Sequence, residues 1–182
     1  MIFRRLGLIN KDQRGFSLTE LMLTFLIAGI ITGGITMTIF SVINGNIRTS
    51  NHMTAVRQVQ NAGYWVSRDA QMAQQDPVIL TNGGELKSIT LTWTDWDGTV
   101  HTITYTLEGT ELWRDYDGQR SLVAQFIDLT TKDGEPQTKC DFVDTNGDDI
   151  EDTLILKVTA TVGAGSQQQS ETRVYEVVPR PE

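Results

Sequence analysis

The 182-residue chain is poor in the residues from which stapled domains and enzyme sites are built. It has one cysteine, Cys140, so an intrachain disulfide is excluded and the fold must hold by core packing or a bound ion. Its only histidines, His52 and His101, lie far apart, which with a single cysteine leaves no zinc site of the usual kind. There is no P-loop, no G-x-G-x-x-G and no Ser-His-Asp set, so an anchored hydrolase finds no site. Basic residues are concentrated at the start. Arg4, Arg5, Lys11 and Arg14 against Asp12 give residues 1–15 a charge of +3, which leaves −11 on residues 16–182 within the net −8. An acidic domain argues against nucleic acid as a partner, because phosphate binding needs clustered Lys and Arg. Proline is also scarce, and the first is Pro77. Nothing of that kind interrupts a helix before it.

What is present is an apolar run, residues 16–43, with Glu20 as its only charged side chain. About twenty residues span the roughly 30 Å hydrocarbon core of a bilayer, so this segment has the length of a transmembrane helix. A carboxylate inside such a helix costs about 2.5–3.5 kcal/mol on insertion scales, so Glu20 calls for a cationic partner reachable within the bilayer. The basic residues before the run place the N-terminus in the cytoplasm and the rest of the chain outside, in a single pass. An ordinary secretory signal peptide is the competing reading. The run is too long for its apolar region, and no small-x-small cleavage site follows. Gly29 and Gly33 form a G-x-x-x-G pair that would let helices approach closely. Gly33-Gly34 is the softest point of the helix.

Residues 44–76 continue as an amphipathic helix. Ile47, Val56, Val59, Ala62, Val66, Ala70 and Ala73 recur mostly at spacings of three and four and form one apolar stripe. Arg48, Arg57, Gln58, Gln60, Arg68 and Asp69 are read as lying mostly off it. Asp76-Pro77 is a stop, since the residue before proline avoids the helical region. One helix is therefore expected from about residue 16 to residue 75.

Residues 77–182 switch to a period of two. Ile89, Leu91 and Trp93 alternate with threonines, as do Ile103, Tyr105 and Leu107. Further runs cover residues 111–116, 121–129, 153–162 and 171–178. Asn82-Gly83, Asp97-Gly98, Asp117-Gly118, Asp133-Gly134 and Asn146-Gly147 punctuate them. The pattern predicts an antiparallel sheet of five to seven strands laid on the helix stripe, hence an α+β fold. Trp93, Trp96 and Trp113 are expected in the core, with a binding patch made of them as the other reading, His101 half-buried in the sheet, Cys140 as a buried or edge thiol without function, and residues 163–170 as a flexible loop.

Arg14 followed by Gly15-Phe16-Ser17-Leu18-Thr19-Glu20 and the apolar run resembles the class III signal of type IV prepilins and type II secretion pseudopilins. The resemblance covers residues 11–45. It implies a type IV pilin-like fold. It also implies cleavage between Gly15 and Phe16 by a prepilin peptidase at the cytoplasmic face, and N-methylation of the new Phe16 amine with retention of its charge. Glu20, at the motif position, would pair with such an amine in its own or a neighbouring subunit and thereby favour assembly. The simpler reading of Glu20 is a carboxylate favoured by the helix macrodipole. This chain departs from the family in lacking a C-terminal disulfide and a mid-helix proline. The rhythm Ile103-Thr104-Tyr105, Leu107, Leu112-Trp113-Arg114, Leu122-Val123 and Ile127 is similar to that of larger minor pilins, including J-type minor pseudopilins.

The segment from Asp141 to Asp152 carries six carboxylates and neither Lys nor Arg. Asp144, Asn146 and Asp148 alternate as oxygen donors, with Asp152 four residues on, which resembles the first part of a calcium loop. Ile155 stands where a bidentate glutamate would close the loop, and Gly147 sits early. A hairpin turn with solvated acids is the other reading, and both stay open. The sequence thus predicts a minor pilin-like subunit of the inner membrane with an extracytoplasmic β domain. It would require no cofactor, with Ca2+ as the one candidate ion, and perform no catalysis. Its partners would be a prepilin peptidase and other pilin or pseudopilin subunits. The alternative is a single-pass anchored binding or adhesion module that never polymerises.

Overall fold

The computed structural model describes residues 15–74, 76–82, 85–145, 147 and 151–180. Among the described residues, one long helix, α1 (Leu18–Ala70), is followed by ten strands. The chain divides into two compact units at Ile43/Asn44, within α1.

In the first unit, every described apolar side chain of α1 is exposed, including Phe25, Leu26, Ile30, Ile31 and Phe40. The helix is long and apolar enough to cross a membrane, by length and composition. Helical structure is continuous through Gly33-Gly34. Threonine hydroxyls along it donate back to carbonyls one turn earlier, Thr24 to Glu20, Thr36 to Thr32 and Thr38 to Gly34. Those bonds satisfy polar atoms that an apolar surrounding would otherwise leave bare.

In the second unit, α1 turns from uniformly exposed to one-sided. Ala55, Val59, Ala62, Val66, Asp69 and Ala70 are buried, and Ala73 just beyond the helix joins them. The helix ends with a turn at Gln71 and Met72, a few residues before Pro77. The strands form three sheets, where the alternation had suggested one. The first contains β1 (Val78–Asn82), β2 (Glu85–Thr94), β3 (Val100–Glu108), β4 (Glu111–Tyr116) and β5 (Gln119–Ala124), in that order. The second is a two-stranded ribbon of β6 (Thr131–Lys132) and β7 (Glu135–Pro136). The third has β9 (Thr153–Val162) between β8 (Lys139–Val143) and β10 (Gln169–Val177). All pairings are antiparallel. A lone bridge between Ile127 and Ala160 links the chain after β5 to β9. Hydropathy alternation reports which side of a strand is buried and not which strand lies beside it, so the split into separate sheets was not legible.

Register sorts the side chains. Leu91 opposes Ile103 and Ile89 opposes Tyr105, and all four are buried on the face toward α1. Thr90 opposes Thr104 and Thr92 opposes Thr102 on the other face. Trp113 opposes Thr106 and so belongs to that outer face, where Arg120 covers its ring at 4.5 Å and Glu111 accepts from its Nε1 at 3.1 Å. Trp113 is not a core residue, contrary to expectation. Trp96 is also outside the core, on the turn between β2 and β3. Two Asp-Gly turns have both residues at positive φ, Asp117-Gly118 between β4 and β5 and Asp133-Gly134 between β6 and β7. That is the geometry whose twist matches paired strands. The expected loop at 163–170 is a 3₁₀ turn, Gly165–Gln167, running into β10. Asn51 of α1 donates to the Gln167 carbonyl at 2.9 Å.

Strand β10 of the third sheet meets α1 at Gly63. A Cβ at Gly63 would lie 2.0 Å from Cζ of Tyr175, whose hydroxyl donates to the Val59 carbonyl at 3.1 Å. The ring is held at its tip and cannot swing aside freely. Gly63→Ala is expected to lower unfolding stability by about 1–3 kcal/mol, as overpacking does. The loss should be smaller in a Tyr175→Ala background, measured by urea denaturation. Equal losses in both backgrounds would refute the contact.

Candidate functional site

The N-terminal signal sits at the boundary between extended chain and helix. Gly15, Phe16 and Ser17 are exposed and non-helical, and α1 begins at Leu18. The first four amide groups of a helix have no partner within it. Here the Ser17 carbonyl accepts the next available ones, from Glu20 at 3.0 Å and Leu21 at 3.1 Å. Glu20 lies in the first helical turn and is exposed, where the positive end of the macrodipole favours a carboxylate. The peptide bond between Gly15 and Phe16 is thus outside helical hydrogen bonding, and cutting it would place a free amine just before the turn that carries Glu20. The leader up to Arg14 lies outside the described residues.

Of the candidate calcium donors, Asn146 and Asp148 lie outside the described residues. Asp144 Oδ1 accepts from the Gly147 amide at 2.7 Å, and Gly147 has a φ of 83°. Asp152 Oδ1 accepts from the Thr145 hydroxyl at 3.0 Å and from the Thr153 hydroxyl at 2.8 Å. These hydrogen bonds, with that of the Thr153 hydroxyl first, hold the Asp152 carboxyl below the usual carboxylate range. These hydrogen bonds tie Asp144 and Asp152 to backbone and hydroxyl groups between the end of β8 and the start of β9. Among the described residues, no group of three His, Cys, Asp or Glu side chains is placed to hold a metal ion.

The sequence reading missed a buried charge cluster. Asp69 was read as lying off the stripe, but it is 0% exposed and stands in the repeat Ala55, Val59, Ala62, Val66, Asp69, Ala73. Its alternating steps of four and three were the available signal. Asp69 Oδ2 accepts from Arg114 Nε at 2.6 Å and from the Tyr105 hydroxyl. Arg114 opposes Tyr105 across β3 and β4, so both project from the inner face toward the helix. The guanidinium also lies over the rings of Trp65, at 5.1 Å, and Tyr116, at 5.2 Å. Burial, then the Asp69 hydrogen bond, push the Tyr105 phenol well above its ordinary pKa and keep it a donor. Burial acts to lower the Arg114 pKa, but the hydrogen bond and charge of Asp69 prevail and hold it above its ordinary value. Among the described residues, Asp69 Oδ1 has no hydrogen-bond partner.

At the next position along the same face, Trp93 opposes His101, as expected for a half-buried histidine. Trp93 stacks on Tyr116 with ring planes 4° apart and on His101 at 5.4 Å. His101 Nδ1 meets Asp117 Oδ2 at 2.7 Å. This hydrogen bond, then that of the Thr102 amide, holds the Asp117 carboxyl below its usual range. The pair fixes the orientation of the His101 ring. Cys140 is buried, and that burial pushes its thiol up to about 12, so it stays protonated and unreactive at neutral pH.

The prokaryotic N-terminal methylation motif matches residues 10–36, a span that contains Gly15, Phe16, Glu20 and the apolar run as far as residue 36. No curated protein matched the chain in a search. The chain therefore carries the class III prepilin signal. Its α+β architecture, a long apolar N-terminal helix followed by antiparallel sheets, is the one expected of a type IV pilin-like protein.

Proposed function

We propose that the protein is a minor, J-type-like subunit of a type IV pilus or type II secretion pseudopilus, with a structural and not a catalytic role. The observation that carries this reading is the exposed, non-helical Gly15–Phe16 bond directly before a membrane-length helix with Glu20 in its first turn. Prepilin peptidase cuts after Gly15, and Phe16 becomes a methylated, cationic N-terminus. The helix anchors the chain in the inner membrane in a single pass, and the β domain stands outside. An unpaired charge in a low-dielectric surrounding is costly, and pairing with an opposite charge relieves much of that cost. Glu20 then has its most favourable partner in the Phe16 amine of an adjacent subunit, which also sets the axial offset between subunits.

Glu20→Ala is expected to leave membrane insertion intact and to reduce incorporation into filaments by about tenfold, the factor that corresponds to about 1.4 kcal/mol. Quantitative immunoblotting of sheared filaments against membranes measures it. Unchanged incorporation would favour the anchored binding module that never polymerises, since a mere anchor has no use for Glu20.

A calcium site at Asp144, Asn146, Asp148 and Asp152 is a separable part of this proposal, supported by the spacing of the oxygen donors. Calcium is expected to raise the melting temperature of the chain, and Asp144→Ala with Asp148→Ala to abolish the gain. A parent chain whose melting temperature ignores calcium would dismiss the site.

A further inference from the structure

An open cleft of about 960 Å³ lies where α1 ends, walled by the turn between β2 and β3 and by the segment after β10. Trp93, Trp96, Asp95, Gln71, Gln74 and Arg180 line it. Its size is at the upper end of the ~300–1,000 Å³ typical of small-ligand sites. Trp93 forms a wall already fixed by its stacking on Tyr116 and His101. Trp96 is 93% exposed, a large apolar surface left in water by the fold.

The turn that presents Trp96 is held by its own hydrogen bonds. The Trp96 amide donates to Asp95 Oδ1 at 2.8 Å, the Gly98 amide to the Asp95 carbonyl at 3.0 Å, and the Thr99 amide to Asp97 Oδ1 at 2.8 Å. The opposite side is fixed too. Gln74 Oε1 accepts from the Thr94 amide at 2.9 Å, which leaves its NH₂ group to donate. The Arg180 amide donates to the Ala73 carbonyl at 3.1 Å. Among the described residues the Arg180 guanidinium makes no ion pair, and its charge offsets that of Asp95.

We propose that this cleft binds a neutral oligosaccharide. A pyranose ring offers a flat apolar C–H face and a rim of hydroxyls that both donate and accept. The indoles of Trp93 and Trp96 match the face. The Asp95 carboxylate, the amides of Gln71 and Gln74 and the Arg180 guanidinium match the rim with acceptors and donors. An acidic peptide would need surplus positive charge, and an apolar helix would need an uninterrupted apolar groove. Neither is present: Asp95 balances Arg180, and the apolar Met72, Val178 and Pro179 share the lining with Gln71, Gln74 and Thr94. Walls fixed before the ligand arrives keep the ordering cost of binding low. The proposal is independent of whether the chain polymerises.

The test titrates the full chain, in an amine-oxide detergent free of sugar, with cellohexaose, hexa-N-acetylchitohexaose and maltohexaose, read by calorimetry and tryptophan fluorescence. Saturable binding of at least one hexaose is expected. Trp96→Ala should weaken it about tenfold or more, as loss of an aromatic anchor does. Arg180→Ala should weaken it as well, and Trp96→Phe should retain part of it. All three variants change exposed side chains and should keep the parent melting temperature. The proposal is overturned by absence of binding to all three sugars, or by binding that Trp96→Ala and Arg180→Ala leave unchanged. It is equally overturned if Trp96→Ala impairs only association with another pilin subunit, which would make the cleft a subunit interface.

Discussion

Replacing Asp69 with alanine lowers the unfolding stability of the β domain by about 3–5 kcal/mol, the loss that follows when one partner of a buried ion pair is removed. The reason is what stays behind. The Arg114 guanidinium, 14% exposed, loses its anion at 2.6 Å. The Tyr105 hydroxyl, fully buried, loses its acceptor. Neither recovers water. Domains of this size have about 5–15 kcal/mol in total, so the variant should be marginal at physiological temperature. Arg114→Ala should be at least as harmful, because it strands a carboxylate that is 0% exposed. Removing both charges and the hydroxyl together, as Asp69→Leu with Arg114→Met and Tyr105→Phe, should be less destabilising than either single change, since no polar group is then left unsatisfied. Urea denaturation followed by tryptophan fluorescence checks the series. Additive losses across the triple variant would show that the cluster does not act as a unit.

Gly15→Ala is expected to abolish processing, leaving a precursor heavier by the mass of residues 1–15 in intact-mass spectrometry. The structure makes this a clean experiment. A Cβ at Gly15 meets nothing within 4 Å, and the residue lies outside α1. The substitution cannot act by disturbing this chain's fold, so a block must arise in the peptidase's own site. Normal maturation of the variant would remove the basis for a methylated Phe16, and with it the intersubunit partner of Glu20. The Glu20→Ala experiment then becomes interpretable only through the helix macrodipole.

Much of the fold could be read directly. The apolar run and the stripe after it are local patterns, each set by spacing along one helix, and α1 (Leu18–Ala70) appears where they lie. The residue runs at 111–116 and 153–162 coincide with β4 and β9. The processing signal was legible for the same reason, since cleavage, the apolar run and Glu20 fall within one short stretch of chain. The methylation motif matches residues 10–36, which hold the cleavage position, Glu20 and most of the apolar run.

The misreadings share a physical cause. Asp69 looked like a surface acid because its partners, Tyr105 and Arg114, lie 36 and 45 residues away. Trp113 and Trp96 looked like core because aromatic residues usually are, yet register put one on the outer face and a turn put the other in solvent. By itself, then, the sequence determined the helix, its apolar half, the strand periods and the signal at Gly15–Glu20, because each depends on neighbours within a turn or two. Only the tertiary structure decided how the strands divide into sheets and that an aspartate anchors the helix to β3 and β4. It alone set two tryptophans around a neutral cleft, because those outcomes depend on contacts between segments distant in the chain, which no local period encodes.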